Sequence, residues 1–381
     1  MNDTQHGFEF RGRAGEWFGI WIVNLLLSIC TIGIYSAWAK VRRNKYFYNN
    51  TFVNGRSFDY HATGKQILIG RVIVAVGYVI FSVASSLNPF LAVILAIGLF
   101  IALPWFLVRS IKFNARMTSF SNVRFDFHGG AGRAFVIYLL FPFLAYLIVA
   151  FLGGLGVYLV TELGLIIPGA AMIGLGVIVL VLALPFVDRA VKQFTISNHS
   201  LGVSKLDMQA GLTPFIKALV VSILWVVGVL VIGAVFTGIS LSSYFLILER
   251  VETDPTIALR LMGLLYFFFF AALLPAGAIY QAMTRNAVYN ATVLQGGHSF
   301  RSNVQPLRLF WIIMSNAITV ICTLGLMLPW AQIRMAKYLA DHTAAVPNGS
   351  MDDFVGMVMP EGSALGDAYT DFEAIDIGLP I

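Results

Sequence analysis

The chain has 381 residues, of which 58% are hydrophobic and only 12% charged, against about 25% charged residues in an ordinary soluble domain. That balance excludes a soluble globule, a disordered chain and a nucleic-acid binder, and leaves a multi-pass membrane protein. The net charge of +6 is unevenly spread: all 25 Lys and Arg precede residue 341, and residues 341–381 hold only acids, from Asp341 to Asp376.

Apolar stretches follow one another along the chain at 17–38, 67–87, 89–108, 134–159, 164–187, 215–240, 262–282 and 309–330. Each meets or approaches the roughly 20 residues that a bilayer core requires. The fold expected is therefore an all-α polytopic membrane domain over residues 1–343 with about eight membrane segments. Residues 344–381 read as an acidic, flexible tail. Between the apolar stretches lie 23 of the 25 cations: Arg11 and Arg13, Lys40 to Arg71, Arg109 to Arg133, Arg189 to Lys217, Arg285 to Arg308, then Arg334 and Lys337; Arg250 and Arg260 share a loop with Glu249, Glu252 and Asp254. The positive-inside rule places the basic stretches in the cytoplasm and the links near Asn88, Glu162 and Asp254 outside.

Three out-and-back pairs, 67–108, 134–187 and 215–282, satisfy that rule. The first and last segments conflict with it, because one full span at 17–38 separates Arg11 and Arg13 from Lys40 and Lys45. Two readings stay open. In one, the segment crosses fully. In the other it is re-entrant, with Cys30–Ala37 returning as extended backbone, which is tolerated only inside protein or along a cavity. Apolar length favours the full span. Ala37-Trp38-Ala39 looks like a signal-peptidase site, but the apolar region is too long and a basic run follows it at once.

The chain also matches itself. A shift of 292 residues carries Asn24, Ile29, Cys30, Thr31, Gly33, Trp38, Ala39, Arg42, Lys45 and Tyr46 onto Asn316, Ile321, Cys322, Thr323, Gly325, Trp330, Ala331, Arg334, Lys337 and Tyr338. A shift of 67 carries Trp38, Arg42, Lys45, Phe58, Asp59 and His61 onto Trp105, Arg109, Lys112, Phe125, Asp126 and His128, and a fainter shift of 81 continues the series. Internal duplication follows. In each unit an apolar helix is expected to end at an aromatic residue, often after proline, as at Pro104-Trp105, Pro185-Phe186 and Pro329-Trp330. A basic helical turn comes next. Then comes an alternating pentapeptide of strand character: Phe8–Gly12, Phe58–Ala62, Phe125–Gly129 and Leu206–Ala210. Several such strands are expected to pair into a small cytoplasmic sheet.

An Asn-x5-Cys-Thr-x-Gly-x4-Trp-Ala-x2-Arg element, repeated and joined to Phe-x-Phe strands, resembles the YjgN family of bacterial inner-membrane proteins over residues 7–343. The resemblance implies a multi-pass protein of the bacterial inner membrane with a repeated architecture. It implies no reaction, and it brings no catalytic or binding residues. The Pro-Trp pair is lost at Ala37-Trp38 and around Pro275.

Candidate chemistry is sparse. Asp59, His61, Asp126 and His128 stand at i, i+2 on their strands and form a weak metal-site candidate; duplicated polar residues on a wet strand face explain them better. Catalytic motifs are missing, as are mid-membrane carboxylates of the kind coupled pumps use. No cofactor is expected. Cys30 and Cys322 need no redox role, and Gly153, Gly154 and Gly174 read as helix-packing positions. Two functions follow. The first is a non-enzymatic scaffold or lipid-interacting assembly, with Arg42, Lys45, Arg109, Lys112, Arg334 and Lys337 on anionic headgroups at the cytoplasmic face. The alternative is a passive channel or transporter whose path is lined by Asn24, Thr31, Gly33, Asn316, Thr323 and Gly325. Membrane lipids are the partners expected; a homo-oligomer or a second membrane protein stays open.

Overall fold

The computed structural model describes residues 5–237 and 255–349. The chain is mostly helical, with short β-hairpins between the helices. Among the described residues, six helices are long and apolar enough to cross a membrane: α3 (Gly64–Leu87), α4 (Pro89–Arg116), α5 (Ala131–Thr161), α6 (Ile166–Ser197), α7 (Thr213–Thr237) and α8 (Pro255–Asn290). They answer six of the eight expected segments and the three out-and-back pairs. The link expected near Asp254 and the acidic tail from residue 350 lie outside the described residues.

The first and last apolar segments are not single helices, and Cys30–Ala37 is a tight turn between two helices, not the extended backbone that the re-entrant reading expects. Residues 17–38 divide into α1 (Ala14–Cys30) and α2 (Ser36–Asn49), and 309–330 into α9 (Pro306–Cys322) and α10 (Leu328–Asp341). The break is local chemistry. Thr31 Oγ1 donates to the Leu27 carbonyl and accepts the Tyr35 N–H at 2.9 Å, while Ile32 and Gly33 turn through the left-handed region at φ +50° and +86°. Thr323, Leu324 and Gly325 repeat the turn, with Thr323 accepting from Met327 at 3.1 Å. Ile32 and Leu324 sit at the tips and are 95% and 94% exposed. A 17-residue helix is about 25 Å long at 1.5 Å per residue, short of a hydrocarbon core of about 30 Å.

The prolines do not end their helices as the sequence pattern suggests. Pro104, Pro185 and Pro275 lie inside α4, α6 and α8, which run on to Arg116, Ser197 and Asn290. Proline removes one hydrogen bond and can kink a helix, yet neighbouring helices tolerate it in apolar surroundings. Each continuation carries the basic residues onto the strands.

The strands are more than isolated motifs, so "all-α" is too narrow. The ten strands among the described residues are β1 (His6–Phe10), β2 (Thr51–Val53), β3 (Arg56–Tyr60), β4 (Thr118–Phe120), β5 (Val123–Phe127), β6 (His199–Leu201), β7 (Ser204–Met208), β8 (Thr292–Leu294), β9 (His298–Ser302) and β10 (Thr343–Val346). They close into an antiparallel barrel in which β1 pairs with both β2 and β10. A closed barrel leaves no edge strand. Two of the hairpin turns are Asn54-Gly55 and Ser121-Asn122, with φ of +49° and +74°, and of +52° and +65°. Positive φ at both central residues marks the turn that suits strand twist.

The register explains the pentapeptides. Between successive hairpins, Phe8 faces Val53, Phe58 faces Phe120, Phe125 faces Leu201, Leu206 faces Leu294, and Phe300 faces Ala345. These pairs line the barrel interior. One layer nearer the helices, Phe10, Tyr60, Phe127, Met208 and Ser302 face Thr51, Thr118, His199, Thr292 and Thr343. The helices are arranged to match. Within pairs, α1 packs on α2, α3 on α4, α5 on α6, α7 on α8 and α9 on α10; between pairs, α2 packs on α3, α4 on α5, α6 on α7, α8 on α9 and α10 on α1. Trp17, fully buried, donates its indole N–H to Gln332 at 2.8 Å and joins the first pair to the last.

Candidate functional site

The helix–strand junctions are the first feature from which a site is built. Each short strand opens with a side chain that bonds back to the last helical turn: Thr51 to the Phe47 carbonyl, Thr118 to Asn114, His199 to Thr195, Thr292 to Val288 and Thr343 to Leu339. Such bonds satisfy carbonyls that a helix C-terminus otherwise leaves without partners. The residue after each long strand then donates its backbone N–H to the neighbouring junction: Arg11 to Asn50, His61 to Met117, His128 to Asn198, Gln209 to Ala291 and Asn303 to His342.

This geometry gives the duplicated Asp-x-His residues a structural place. His61 Nε2 lies 2.8 Å from Ser119 Oγ, and His128 Nε2 lies 3.0 Å from Ser200 Oγ, each across a seam between hairpins. Asp59 accepts the Tyr60 N–H at 2.7 Å. Asp126 accepts the Phe127 N–H and pairs with Arg116 at 2.9 Å. The four residues belong to two separate seams and do not gather, and no cluster of three or more His, Cys, Asp or Glu that could hold a metal occurs among the described residues.

Two sets of candidates that the sequence assigned to different tasks meet in one place. In the last helical pair, Asn316 is buried on α9, donates to the Ala331 carbonyl at 3.1 Å, and accepts from Arg334 of α10 at 3.0 Å. Asn24 and Arg42 form a looser version at 3.5 Å. Thr31 and Thr323 hold the helix breaks, and Gly33 and Gly325 turn them. These polar groups thus serve their own helical pairs. The cations also lie on aromatic rings, Arg42 5.7 Å from Tyr35, Arg109 5.3 Å from Trp105 and Arg334 5.2 Å from Trp330. Lys45 and Lys337 are exposed on α2 and α10, and Lys112 is half-buried on α4.

Sequence reasoning missed the barrel interior. It contains a cavity of 520 Å³ lined by Phe8, Phe58, Phe120, Phe125, Leu206 and Phe300, among others, and by the ends of α2, α6, α8 and α10. Arg285 of α8 is the Lys or Arg among the lining residues. Its guanidinium donates to Ser302 Oγ at 2.5 Å and Thr343 Oγ1 at 2.9 Å and lies 4.2 Å from the centre of the Tyr289 ring. His298 also lines the cavity; burial pushes its imidazole below the usual range, and its Nδ1 accepts the Asn348 N–H at 3.0 Å. The missed signal was the fifth pentapeptide, Phe300–Val304, which Arg301 and Ser302 disguise.

The profile of a family described as bacterial proteins of unknown function, DUF898, matches residues 5–372. It extends past residue 343, where the sequence reading had placed the end of the resemblance. "Inner membrane protein YjgN" of Salmonella typhimurium strain LT2 is 28% identical over 367 residues, covering 90% of this chain and 89% of that protein. The protein of the same name from Escherichia coli O157:H7 is 33% identical over 129 residues, covering 34% of this chain and 32% of that one. No solved structure matches. With six helices fit to cross a membrane and a family match over nearly its whole length, the chain is a membrane protein that belongs to the DUF898 family of unknown function.

Proposed function

We propose that this is a non-enzymatic protein of the bacterial inner membrane that gathers anionic lipid around a cytoplasmic barrel. In this reading the fold arose by repeated duplication of one unit, a helical pair followed by a β-hairpin, and the equivalent junctions and registers support it. The short outer pairs, α1–α2 and α9–α10, enter the bilayer and return, tips embedded. All strands belong to one barrel, so every basic stretch that flanks them lies on one side, which the positive-inside rule assigns to the cytoplasm.

The observation that carries the lipid reading is the repeated stacking of an Arg on the ring four or seven residues before it, at Tyr35–Arg42, Trp105–Arg109 and Trp330–Arg334. Aromatic rings favour the headgroup layer, and a cation held over one is presented at that depth. Each cation near an anionic surface contributes about 1 kcal/mol. The passive-path alternative has less support, because its Asn and Thr side chains bond within their own helical pairs.

The test replaces Arg42, Lys45, Arg109, Lys112, Arg334 and Lys337 together by Gln and measures spin-labelled lipid held at the protein surface. The native chain is expected to prefer phosphatidylglycerol over phosphatidylcholine several-fold, and the variant to lose that preference. An unchanged preference defeats the reading. Sidedness is checked separately in a chain with Cys30 and Cys322 changed to Ser. An impermeant thiol reagent added to intact spheroplasts is expected to label Glu162→Cys and not Asn54→Cys; the reverse pattern inverts the topology.

A further inference from the structure

The barrel cavity arises where the fifth seam departs from the other four. At the inner layer, Ala345 stands where the other seams place Val53, Phe120, Leu201 and Leu294. At the layer nearer the helices, Ser302 stands where they place Phe10, Tyr60, Phe127 and Met208. Two large apolar side chains are thus replaced by two small ones on the same seam. Well-packed interiors rarely leave such space.

Arg285 points into this gap. It stands seven residues before the junction residue Thr292; the residues at that offset in the other units are Asn44, Ile111, Lys192 and Ala336. A guanidinium has five N–H donors. Ser302 and Thr343 take one each, and the Tyr289 ring offers a face. No carboxylate pairs with Arg285 among the described residues. A cation set among hydroxyls in an apolar wall is costly without an anion, and Arg is well suited to planar, two-point contact with carboxylate or phosphate. The cavity volume lies within the roughly 300–1,000 Å³ of ordinary small-molecule sites, which are typically apolar with a few placed polar groups.

We propose that the barrel binds one single-chain anionic amphiphile, its alkyl chain lying along Phe58, Phe120, Phe125 and Leu206 and its carboxylate or phosphate head on Arg285. This deepens the lipid reading at a second place, and rests on it only in that the membrane supplies the ligand; the rim cations take no part.

The test uses the full chain in bilayer discs of neutral lipid with three photoreactive probes sharing one alkyl chain: a fatty acid, a lysophosphatidic acid and the corresponding fatty alcohol. Adducts are mapped by mass spectrometry. With either anionic probe, adducts are expected on the barrel strands, and the head group that labels more identifies the source. The alcohol is expected to label the barrel at least fivefold less. Arg285→Gln should lower barrel adducts at least fivefold, and Arg285→Lys should restore most of them. Ala345→Phe should block the cavity with Arg285 intact, and guards against a folding defect in the Arg285 variants. Adducts confined to the lipid-facing helices, or barrel adducts equal for the alcohol and the acids, overturn the proposal. The six-Gln rim variant should retain barrel labelling. Its loss there would tie the cavity to the rim and overturn the independence claimed here, whereas lost lipid preference with labelling retained separates the two readings.

Discussion

His298 lies at the barrel wall with its Nδ1 accepting the Asn348 N–H, and this bond requires the unprotonated nitrogen. Burial lowers its pKa below the ordinary value of about 6.5. In the window between the ordinary and the lowered value, the unfolded chain takes up a proton that the folded one refuses. Stability is therefore full above about pH 6.5 and falls as pH drops through that window. The unfolding midpoint, followed from pH 7.5 to 5.5, is expected to decline in the native chain and to decline less in His298→Gln. Equal slopes would assign the effect to other groups, His199 first, whose pKa burial also lowers. The Asn316–Arg334 contact was legible in parts at this scale. The repeat exposed Asn24 and Asn316, and separately Arg42 and Arg334, as matching pairs. It did not reveal that they touch, because contact required the chain to turn back at Thr31 and Thr323.

Among the elements, α5 and α6 cross closely through glycine. A Cβ on Gly156 would stand 2.7 Å from the Gly169 carbonyl oxygen, and one on Gly169 would stand 2.6 Å from that of Gly156. Small residues at such crossings let membrane helices approach. The glycines that the sequence suggested, Gly153, Gly154 and Gly174, have open space where a side chain would go. Gly156→Leu is expected to cost about 1–3 kcal/mol through overpacking, and Gly154→Leu to be nearly neutral, in reversible unfolding by mixed detergent. Similar losses for both would remove the crossing as the cause. The long helices were legible because hydropathy is a local property. The long strands were legible because Phe-x-Phe shows period-2 alternation within a few residues. The partner strands Thr51–Val53 and Thr118–Phe120 have only three residues each, too few for a period to register. Asn54-Gly55 is the one hairpin signal beside them that a local reading can use. Apolar length misled at 17–38 because it counts composition and carries no information about direction.

For the whole molecule, barrel closure depends on β1 and β10, which come from opposite ends of the described chain. Gly7 faces Ala344 in that pairing. Opposed residues in antiparallel strands have Cα atoms about 4.5–5.5 Å apart, within disulfide range. In a background with Cys30→Ser and Cys322→Ser, Gly7→Cys with Ala344→Cys is expected to form an intramolecular disulfide under mild oxidation. It would be detected as two fragments held together after cleavage in the α5–α6 link. A mixture of intermolecular dimers would instead point to barrels that exchange strands. This closure was the least legible part of the fold, since nothing local distinguishes β10 from a short linker.

That same pairing sets an order on synthesis. A chain emerging from its N-terminus makes β1 first and β10 last among the ten strands. The nascent protein therefore inserts all six long helices while one flank of β1 still lacks its partner. Each hairpin added in turn can settle only against the one before it, and the growing edge stays unpaired until the next arrives. A chain that stops after β9 but short of β10 leaves β1 and β9 without the strand that joins them. Closure thus reports that every strand from β1 to β10 has been made.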